Sequence, residues 1–252
     1  MKNRLTKVGL LIIGDELLQG RRTDKHFPHV RVYFSELGVD ISWVYWIGDE
    51  TGLLVEHFKA IRQRGDVCFS FGGIGATVDD LTRQAIAKAH GVDVIPHPEA
   101  VRLIENQFGE GAYPNRILMA ELPEGAELVP NQFNNIPGFS MGRIYCLPGF
   151  PEMAWPMIQW VVQTYYDVSQ NPENFFLSIL VPGARESELI KVLEETQSRF
   201  PALKVSSLPR FPKEGGWQVE LGVRGKEQTV LRAVGFLESE LVKRGYQVEK
   251  NL

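Results

Sequence analysis

The segment Phe71-Gly-Gly-Ile-Gly-Ala-Thr-Val-Asp-Asp-Leu-Thr82 decides the fold class of this 252-residue chain. It follows a short apolar run at 66–71 that is typical of a buried strand, and it leads into a predicted helix at about 78–90. Glycines directly after a strand allow a tight turn and bring backbone N–H groups close to an anion, and a following helix N-terminus adds its dipole. A strand, a glycine loop and a helix in this order indicate an α/β protein with a phosphate-binding turn.

Strands and helices alternate on both sides of this glycine loop. Further strands are predicted at 8–13, 39–47 and 143–147, and helices at 23–37, 54–65, 98–108 and from about 151. Alternation with short connections predicts a largely parallel, doubly wound sheet. Residues 109–140 are rich in Gly, Pro and Asn and are expected to be irregular, with a short helix near 115–121. Pro156 is expected to kink or restart the last helix.

The pattern changes near residue 170. Strands are predicted at 175–181, 204–208 and 217–223, and helices at 186–199 and 227–244. This β-α-β-β-α order predicts a small α+β domain with its helices on one face. The predicted domains are therefore 1–170 and 171–252.

Composition and charge exclude several classes of protein. The chain is 44% hydrophobic and 23% charged, it has no apolar stretch long enough to cross a bilayer, and its first residues do not resemble a signal peptide. We therefore expect no membrane partner. Cys68 and Cys146 both lie in apolar runs typical of buried free thiols, so we expect a reducing, cytoplasmic location. Residues 1–170 hold 15 basic and 20 acidic side chains, which disfavours a nucleic-acid partner.

Asp79 and Asp80 are the acidic residues closest to the glycine loop. In the first turn of the predicted helix they could hold Mg²⁺, which binds one or two carboxylates together with substrate phosphate oxygens. An alternative stays open, because Thr77-x-x-Asp80 also resembles a capping box and acids in a first turn favour the helix dipole. One residue can serve both purposes.

Two further aspartates follow glycine at predicted strand ends, Asp15 after Gly14 and Asp49 after Gly48. Gly-Asp is also ordinary turn chemistry. Because the carboxyl ends of parallel strands share one edge of a sheet, where ligands collect, these acids are expected to meet around the glycine loop. Pro148-Gly149 ends another strand at the same edge. His26 and His29 lack zinc-site spacing and are interpreted as part of a solvated helix face.

Taken in order, several motifs resemble one known family. They are Gly14-Asp-Glu-Leu-Leu-Gln-Gly20, Asp24, Gly48-Asp-Glu50, the glycine loop, and Leu147-Pro-Gly-Phe-Pro-Glu-Met153. Together they resemble the N-terminal domain of the competence/damage-inducible protein A family, which has the molybdopterin-binding fold shared with molybdenum-cofactor biosynthesis enzymes. The resemblance implies a three-layer αβα domain, a KH-like domain over 171–252, and a homo-oligomer. It also implies a short form without the C-terminal deamidase domain.

The resemblance implies two kinds of chemistry. In the biosynthesis enzymes, the glycine loop and an aspartate that matches Asp80 bind molybdopterin and support Mg-dependent adenylylation. In the competence-protein branch, the implied activity is metal-dependent cleavage of a nucleotide pyrophosphate such as ADP-ribose or FAD. Ile74 stands where threonine is common in the biosynthesis enzymes, which weakens the case for adenylylation. Ala76 and Val78 also depart from the usual residues of the loop.

Gly222-Val-Arg-Gly225 has the spacing of an RNA-binding KH loop. It is expected to follow a strand instead of joining two helices, and its surroundings are neutral in charge, so RNA binding is not predicted.

The sequence thus predicts a Mg²⁺-dependent phosphoanhydride hydrolase acting on a small nucleotide. Asp49 and Asp80 are predicted to hold the metal, and Asp80, Asp79 and Asp15 to act in catalysis. The predicted ligand-binding residues are Gly14, Gly72, Gly73, Gly75, Ala76, Thr77, Pro148 and Gly149. The alternatives are a non-catalytic binder of a pterin or nucleotide, and a molybdopterin adenylyltransferase.

Overall fold

The computed structural model describes residues 2–168, 175–211 and 216–251. The chain divides into two compact units, residues 1–169 and 170–252. None of the helices in these described ranges combines the length and apolar character needed to cross a membrane.

The first unit contains ten strands and six α-helices within its described residues. The strands are β1 Asn3–Arg4, β2 Lys7–Ile13, β3 Asp40–Ile47, β4 Cys68–Phe71, β5 Val94–Pro96, β6 Glu121–Pro123, β7 Glu127–Val129, β8 Gly138–Met141, β9 Ile144–Leu147 and β10 Tyr166–Asp167. The helices are α1 Asp15–Leu18, α2 His26–Glu36, α3 Thr51–Arg64, α4 Thr82–His90, α5 Pro98–Phe108 and α6 Pro151–Tyr165, with 3₁₀ turns at Gly109–Ala112 and Arg116–Ala120.

A six-stranded sheet with the order β3-β2-β4-β9-β8-β7 forms the centre of this unit. The first four strands are parallel, whereas β8 and β7 are antiparallel to their neighbours. Successive side chains of β2 point to opposite faces, so that Leu11 and Ile13 enter one core while Leu10 and Ile12 enter the other. The first core is shared with α3, α4 and α5, and the second with α2 and α6. This is the expected three-layer αβα arrangement, and its sheet is mixed.

The prediction for residues 109–140 needs correction. The region expected to be irregular contains β6, β7 and most of β8. Strands of three or four residues are too short to show a periodicity, and Gly and Pro in the region hid them. Helix α6 continues through Pro156 as one element, so the helix does not restart there.

Helix α4 begins later than predicted, at Thr82 and not at Val78. Asp79 and Asp80 therefore lie in the turn before the helix and not in its first turn. The physical reason is that the Asp80 carboxylate accepts the backbone N–H groups of Gly75 and Thr77. This local bonding gives the backbone an alternative to the helix.

The second unit contains β11 Phe175–Pro182, α7 Glu186–Arg199, β12 Lys204–Arg210, β13 Gln218–Gly225, α8 Glu227–Lys243 and β14 Glu249–Asn251. Its sheet has the order β12-β13-β11-β14 and is antiparallel. The predicted β-α-β-β-α order is present, and β14 is an addition that the sequence did not reveal. A hydrophobic core lies between the sheet and the two helices, with Leu189, Leu221 and Leu237 fully buried.

Gly222 and Gly225 lie inside β13, so the expectation that Gly222-Val-Arg-Gly225 follows a strand was wrong. Packing explains Gly222. A Cβ there would come within 2.6 Å of the Ser206 hydroxyl and 2.7 Å of the Phe176 ring.

Candidate functional site

A cavity of about 530 Å³ lies at the carboxyl ends of β2, β4 and β9. Nearly all of the predicted site residues border it, namely Gly14, Asp49, Gly72, Gly73, Gly75, Ala76, Thr77, Asp79, Asp80, Pro148 and Gly149. Asp15 does not border this glycine-loop cavity but contacts Asp49, which does. The structure therefore brings the predicted acidic turns and the glycine loop to one rim of the sheet.

Helix α4 fixes the carbonyl groups of the glycine loop. The Thr82 hydroxyl donates to the Gly72 carbonyl at 2.9 Å, and the Thr82 N–H donates to the Gly73 carbonyl at 2.9 Å. The Arg83 guanidinium donates to the Gly75 carbonyl at 2.5 Å. In a planar trans peptide the N–H points opposite to the C=O. The next N–H in each case, on Gly73, Ile74 and Ala76, therefore points away from α4.

These three N–H groups make no hydrogen bond with any described residue, so they can donate hydrogen bonds to a bound anion. The N–H groups of Gly75 and Thr77 differ, because each donates to the Asp80 carboxylate at 2.8 Å. The loop N–H groups of Gly73, Ile74 and Ala76 are thus open to a ligand. The N–H groups of Gly75 and Thr77, which were expected to hold the diphosphate as well, are already satisfied within the loop.

Asp80 organises the glycine loop. Besides the two N–H groups, its carboxylate accepts the Thr77 hydroxyl at 2.5 Å. A carboxylate has about four lone-pair positions, and three are used here. Asp80 can therefore give one further bond to a metal ion without releasing the loop.

Asp15 and Asp49 are held together by reciprocal hydrogen bonds. The Asp15 N–H donates to the Asp49 carboxylate at 3.0 Å, and the Asp49 N–H donates to the Asp15 carboxylate at 3.2 Å. Burial raises the pKa of Asp49, and the neighbouring charges of Asp15, Glu16 and Asp79 raise it further, while the Asp15 N–H opposes them. Negative charge is therefore concentrated at this rim of the sheet, which favours binding of a cation.

Asp79 is exposed and borders the same cavity. Its pKa is lowered, first by the neighbouring Thr77 side chain and then by its own backbone N–H, so it is ionised at neutral pH. In the described parts of the chain, no three His, Cys, Asp or Glu side chains are already arranged to hold a metal ion. A Mg²⁺ ion there would complete its shell with water molecules and with phosphate oxygens of a ligand. The donors that are present, carboxylate oxygens, are of the kind that Mg²⁺ prefers.

Sequence reasoning missed Arg83. This side chain is 3% exposed and holds the glycine loop through its hydrogen bond to the Gly75 carbonyl. Its guanidinium also donates to the carbonyls of Leu118 and Glu121. Burial lowers the pKa of Arg83, whereas the charges of Asp80 and Glu121 raise it. No local pattern marks this arginine, since its partners are distant in sequence.

A second missed feature is a part of the cavity wall that carries no carboxylate. It combines two amides with apolar side chains, and its residues are Met119, Asn131, Asn134, Ile136, Pro137, Phe150 and Met153. Asn131 donates to the Asn134 side chain at 2.8 Å, and Asn134 accepts the Ile136 N–H at 3.0 Å. These bonds fix the amides in a wall suited to a flat heteroaromatic ring.

The interpretation of His26 as part of a solvated helix face was wrong. His26 is 5% exposed and its ring stacks on Phe71, with centroids 4.3 Å apart. The Asp24 carboxylate caps the start of α2 by accepting the N–H groups of His26 and Phe27. His29 is half-buried and stacks on Trp155 at 3.7 Å. Three-residue spacing on a helix does not reveal which turn faces the sheet.

Comparison with known proteins places the first unit in a family. A family model described as "Probable molybdopterin binding domain" matches residues 9–167, and the chain belongs to that family. The resemblance to the N-terminal domain of competence/damage-inducible protein A is confirmed.

The relatives differ in how much of their length this chain covers. A protein of Pyrobaculum arsenaticum is 30% identical over 210 residues, 80% of this chain and 79% of that protein. A CinA-like protein of Geotalea uraniireducens is 29% identical over 236 residues, but these are 89% of this chain and 55% of the relative. The crystal structure of CinA from Thermoplasma acidophilum, 22% identical, covers 64% of this chain and 100% of its own with a TM-score of 0.58, which shows a shared fold.

Proposed function

We propose that the glycine-loop cavity binds the diphosphate of a small nucleotide and cleaves its phosphoanhydride bond with the help of a divalent metal, for which Mg²⁺ is the best match. The observation that carries this proposal is that free backbone N–H groups and several carboxylates border one cavity. The N–H groups of Gly73, Ile74 and Ala76 would hold phosphate oxygens. Asp49 and Asp80 would bind the metal.

The remaining acids have positioning roles in this proposal. Asp15 holds Asp49 through the reciprocal bonds, and Asp79 is ionised and exposed, so it can orient a water molecule. A bound Mg²⁺ would neutralise the phosphate charge and lower the pKa of that water. The amide and methionine wall would receive the nucleobase. Since Cys68 and Cys146 are buried free thiols, we place this chemistry in a reducing cytoplasm.

A pyrophosphatase screen tests the proposal. ADP-ribose, FAD and dinucleotides would be incubated with Mg²⁺, with other divalent ions and with EDTA, and the mononucleotide product quantified. We expect metal-dependent release, reduced at least tenfold by Asp49→Asn, since loss of a metal ligand removes about 1.4 kcal/mol or more of transition-state stabilisation. Asp66→Asn is the matched control, because Asp66 lies at the other end of the sheet and accepts from Trp43 and Arg64. Absence of turnover for every substrate and metal would reject catalysis.

A second candidate is binding of a pterin or nucleotide without turnover. It is favoured by the finding that, among the described residues, no three metal-binding side chains are already gathered. Thermal stabilisation by a ligand that is recovered intact would support it. The adenylyltransferase alternative predicts transfer of AMP from ATP, which would be measured in parallel with the same protein.

A further inference from the structure

Arg22 is the single basic residue among the described residues that border the glycine-loop cavity. The other charged residues at this cavity are all acidic, namely Glu16, Asp49, Asp79 and Asp80. A divalent metal held by Asp49 and Asp80 balances the charge of those two carboxylates and leaves the charge of the substrate phosphates. The loop N–H groups carry only partial positive charges. A diphosphate in this cavity therefore needs a full positive charge, which Arg22 can supply.

The backbone holds Arg22 at the rim of the cavity. Gly20, with φ of +70°, reverses the chain after α1, and the Arg22 N–H then donates to the Glu16 carbonyl at 3.0 Å. Two residues later the Asp24 carboxylate caps α2 by accepting two N–H groups at its start. The connection between α1 and α2 is thus anchored on both sides of Arg22.

The guanidinium of Arg22 is available to a ligand. Arg22 is exposed, and its side chain forms no hydrogen bond or ion pair with any described residue, although Glu16 borders the same cavity. By contrast, the guanidinium groups of Arg64 and Arg83 in the same unit have protein acceptors. The donors of an arginine form a planar fork that matches two oxygens of one phosphate. Arg22 therefore keeps its donors for an anion.

A second cavity shows where along a ligand Arg22 would act. This cavity of about 460 Å³ adjoins the glycine-loop cavity, and Arg22 borders both, as do Gly149 and Phe150. The glycine loop borders the first cavity and not the second, whereas Lys25 borders the second and not the first. A diphosphate that begins on the loop N–H groups and runs toward the second cavity passes Arg22 with its outer phosphate.

We infer that Arg22 binds the outer phosphate of the diphosphate, the one farther from the nucleoside, while the loop N–H groups hold the inner one. This inference rests on the proposed function. It makes Arg22 a specificity-determining residue, because a nucleoside monophosphate reaches the loop but has no phosphate at the junction of the two cavities. It also fixes the direction of the phosphoanhydride bond, which then spans the gap between the loop and Arg22.

Equilibrium binding of ADP and AMP tests this inference. Binding is measured by calorimetry with Ca²⁺ in place of Mg²⁺, and chromatography checks that ADP stays intact. We expect the wild type to prefer ADP to AMP by at least about tenfold. Arg22→Gln should lower the affinity for ADP about tenfold, the low end for hydrogen bonds to a charged group because the site is exposed, and leave the affinity for AMP unchanged. Arg22→Lys should fall between the two, since it keeps the charge without the fork.

Arg21→Gln is the matched control, because Arg21 is the neighbouring exposed arginine and borders neither cavity. The two variants change the net charge equally, so an equal loss of ADP affinity in both would overturn the inference. Equal weakening of AMP and ADP by Arg22→Gln would also overturn it, since Arg22 would then only support the rim. Equal wild-type affinity for ADP and AMP would overturn it without any variant. In these cases bound ADP leaves the proposed function intact, whereas a wild type that binds neither nucleotide rejects both.

Discussion

The carboxylates of Asp15 and Asp49 each accept the backbone N–H of the other, at 3.2 and 3.0 Å. These residues follow strands β2 and β3, which are neighbours in the sheet. The bonds bring two acidic turns together, and burial, with the negative charge of Asp15 added to it, raises the pKa of Asp49. Such an arrangement costs stability in the free protein and becomes favourable when a cation binds.

Asp49→Asn should therefore stabilise the metal-free protein at neutral pH. A carboxyl whose pKa is raised by folding binds its proton more tightly in the folded state. The free energy of unfolding then falls as pH rises from the usual carboxyl pKa through the raised one. Asparagine keeps an acceptor for the Asp15 N–H but cannot ionise. We expect Tm of the variant to exceed that of wild type by about 2 °C at pH 7 and to match it near pH 4.

Thermal scans in EDTA at several pH values would measure this difference. Adding Mg²⁺ and nucleotide should reverse the order, because only wild type gains stabilisation from the bound metal. A variant that is less stable than wild type in EDTA at every pH would contradict the conclusion that the ionised Asp49 carboxylate destabilises the metal-free protein.

Asp80→Ala should destabilise the first unit much more than Asp79→Ala. Asp80 accepts three hydrogen bonds from the loop, and its loss leaves two N–H groups and a hydroxyl without their acceptor. We expect a loss of about 1–3 kcal/mol in the free energy of unfolding. Asp79 is exposed, so its removal should change stability little. Urea unfolding followed by tryptophan fluorescence is suitable, since four of the five tryptophans lie in this unit, at 43, 46, 155 and 160. Equal effects of the two substitutions would refute the loop-organising role.

The long elements of the fold were predictable from the sequence, and the loop details were not. Helices such as α3, ended by Gly65 in the left-handed region, and buried strands such as β2 carry local signals strong enough to place them. Residues 78–81 were predicted as helix because the bonds from Gly75 and Thr77 to Asp80, which hold these residues in a turn, depend on the folded loop. A periodicity of apolar residues contains no information about such bonds.

The sequence likewise indicated only part of the candidate site. Glycine and aspartate at strand ends indicated which turns share one edge, because the topology of a parallel sheet fixes this edge. Arg83, His26 and the two asparagines of the cavity wall gave no such signal. Their partners lie 8–38 residues away for Arg83 and 123 residues away for His26. Only the folded chain shows that these residues contact the loop and its neighbours.

Arg83→Lys should destabilise the protein although it keeps the charge. The guanidinium donates to three carbonyls from one planar group, and a lysine ammonium cannot reach all of them. We expect a loss of about 2 kcal/mol in the free energy of unfolding and weaker binding of nucleotide, because the Gly75 carbonyl is no longer fixed. Arg102→Lys serves as the control, since Arg102 forms an exposed ion pair with Glu99. Unchanged nucleotide affinity in Arg83→Lys would show that the loop does not need this support.

Gly72→Ala should be the most damaging single-methyl change in the loop. Gly72 has φ of +100°, and a Cβ there would lie 2.5 Å from the Ile13 carbonyl oxygen, which belongs to the neighbouring strand and cannot move aside cheaply. Gly91→Ala is the matched control, because Gly91 has φ of +72° but nothing within 4 Å of an added Cβ. We expect a loss of about 1 kcal/mol for Gly91→Ala from backbone strain alone, and about 3 kcal/mol for Gly72→Ala from strain together with the clash. Urea unfolding of the two variants measures the difference, and equal losses would show that the close approach of β4 to β2 at the loop is not what requires glycine.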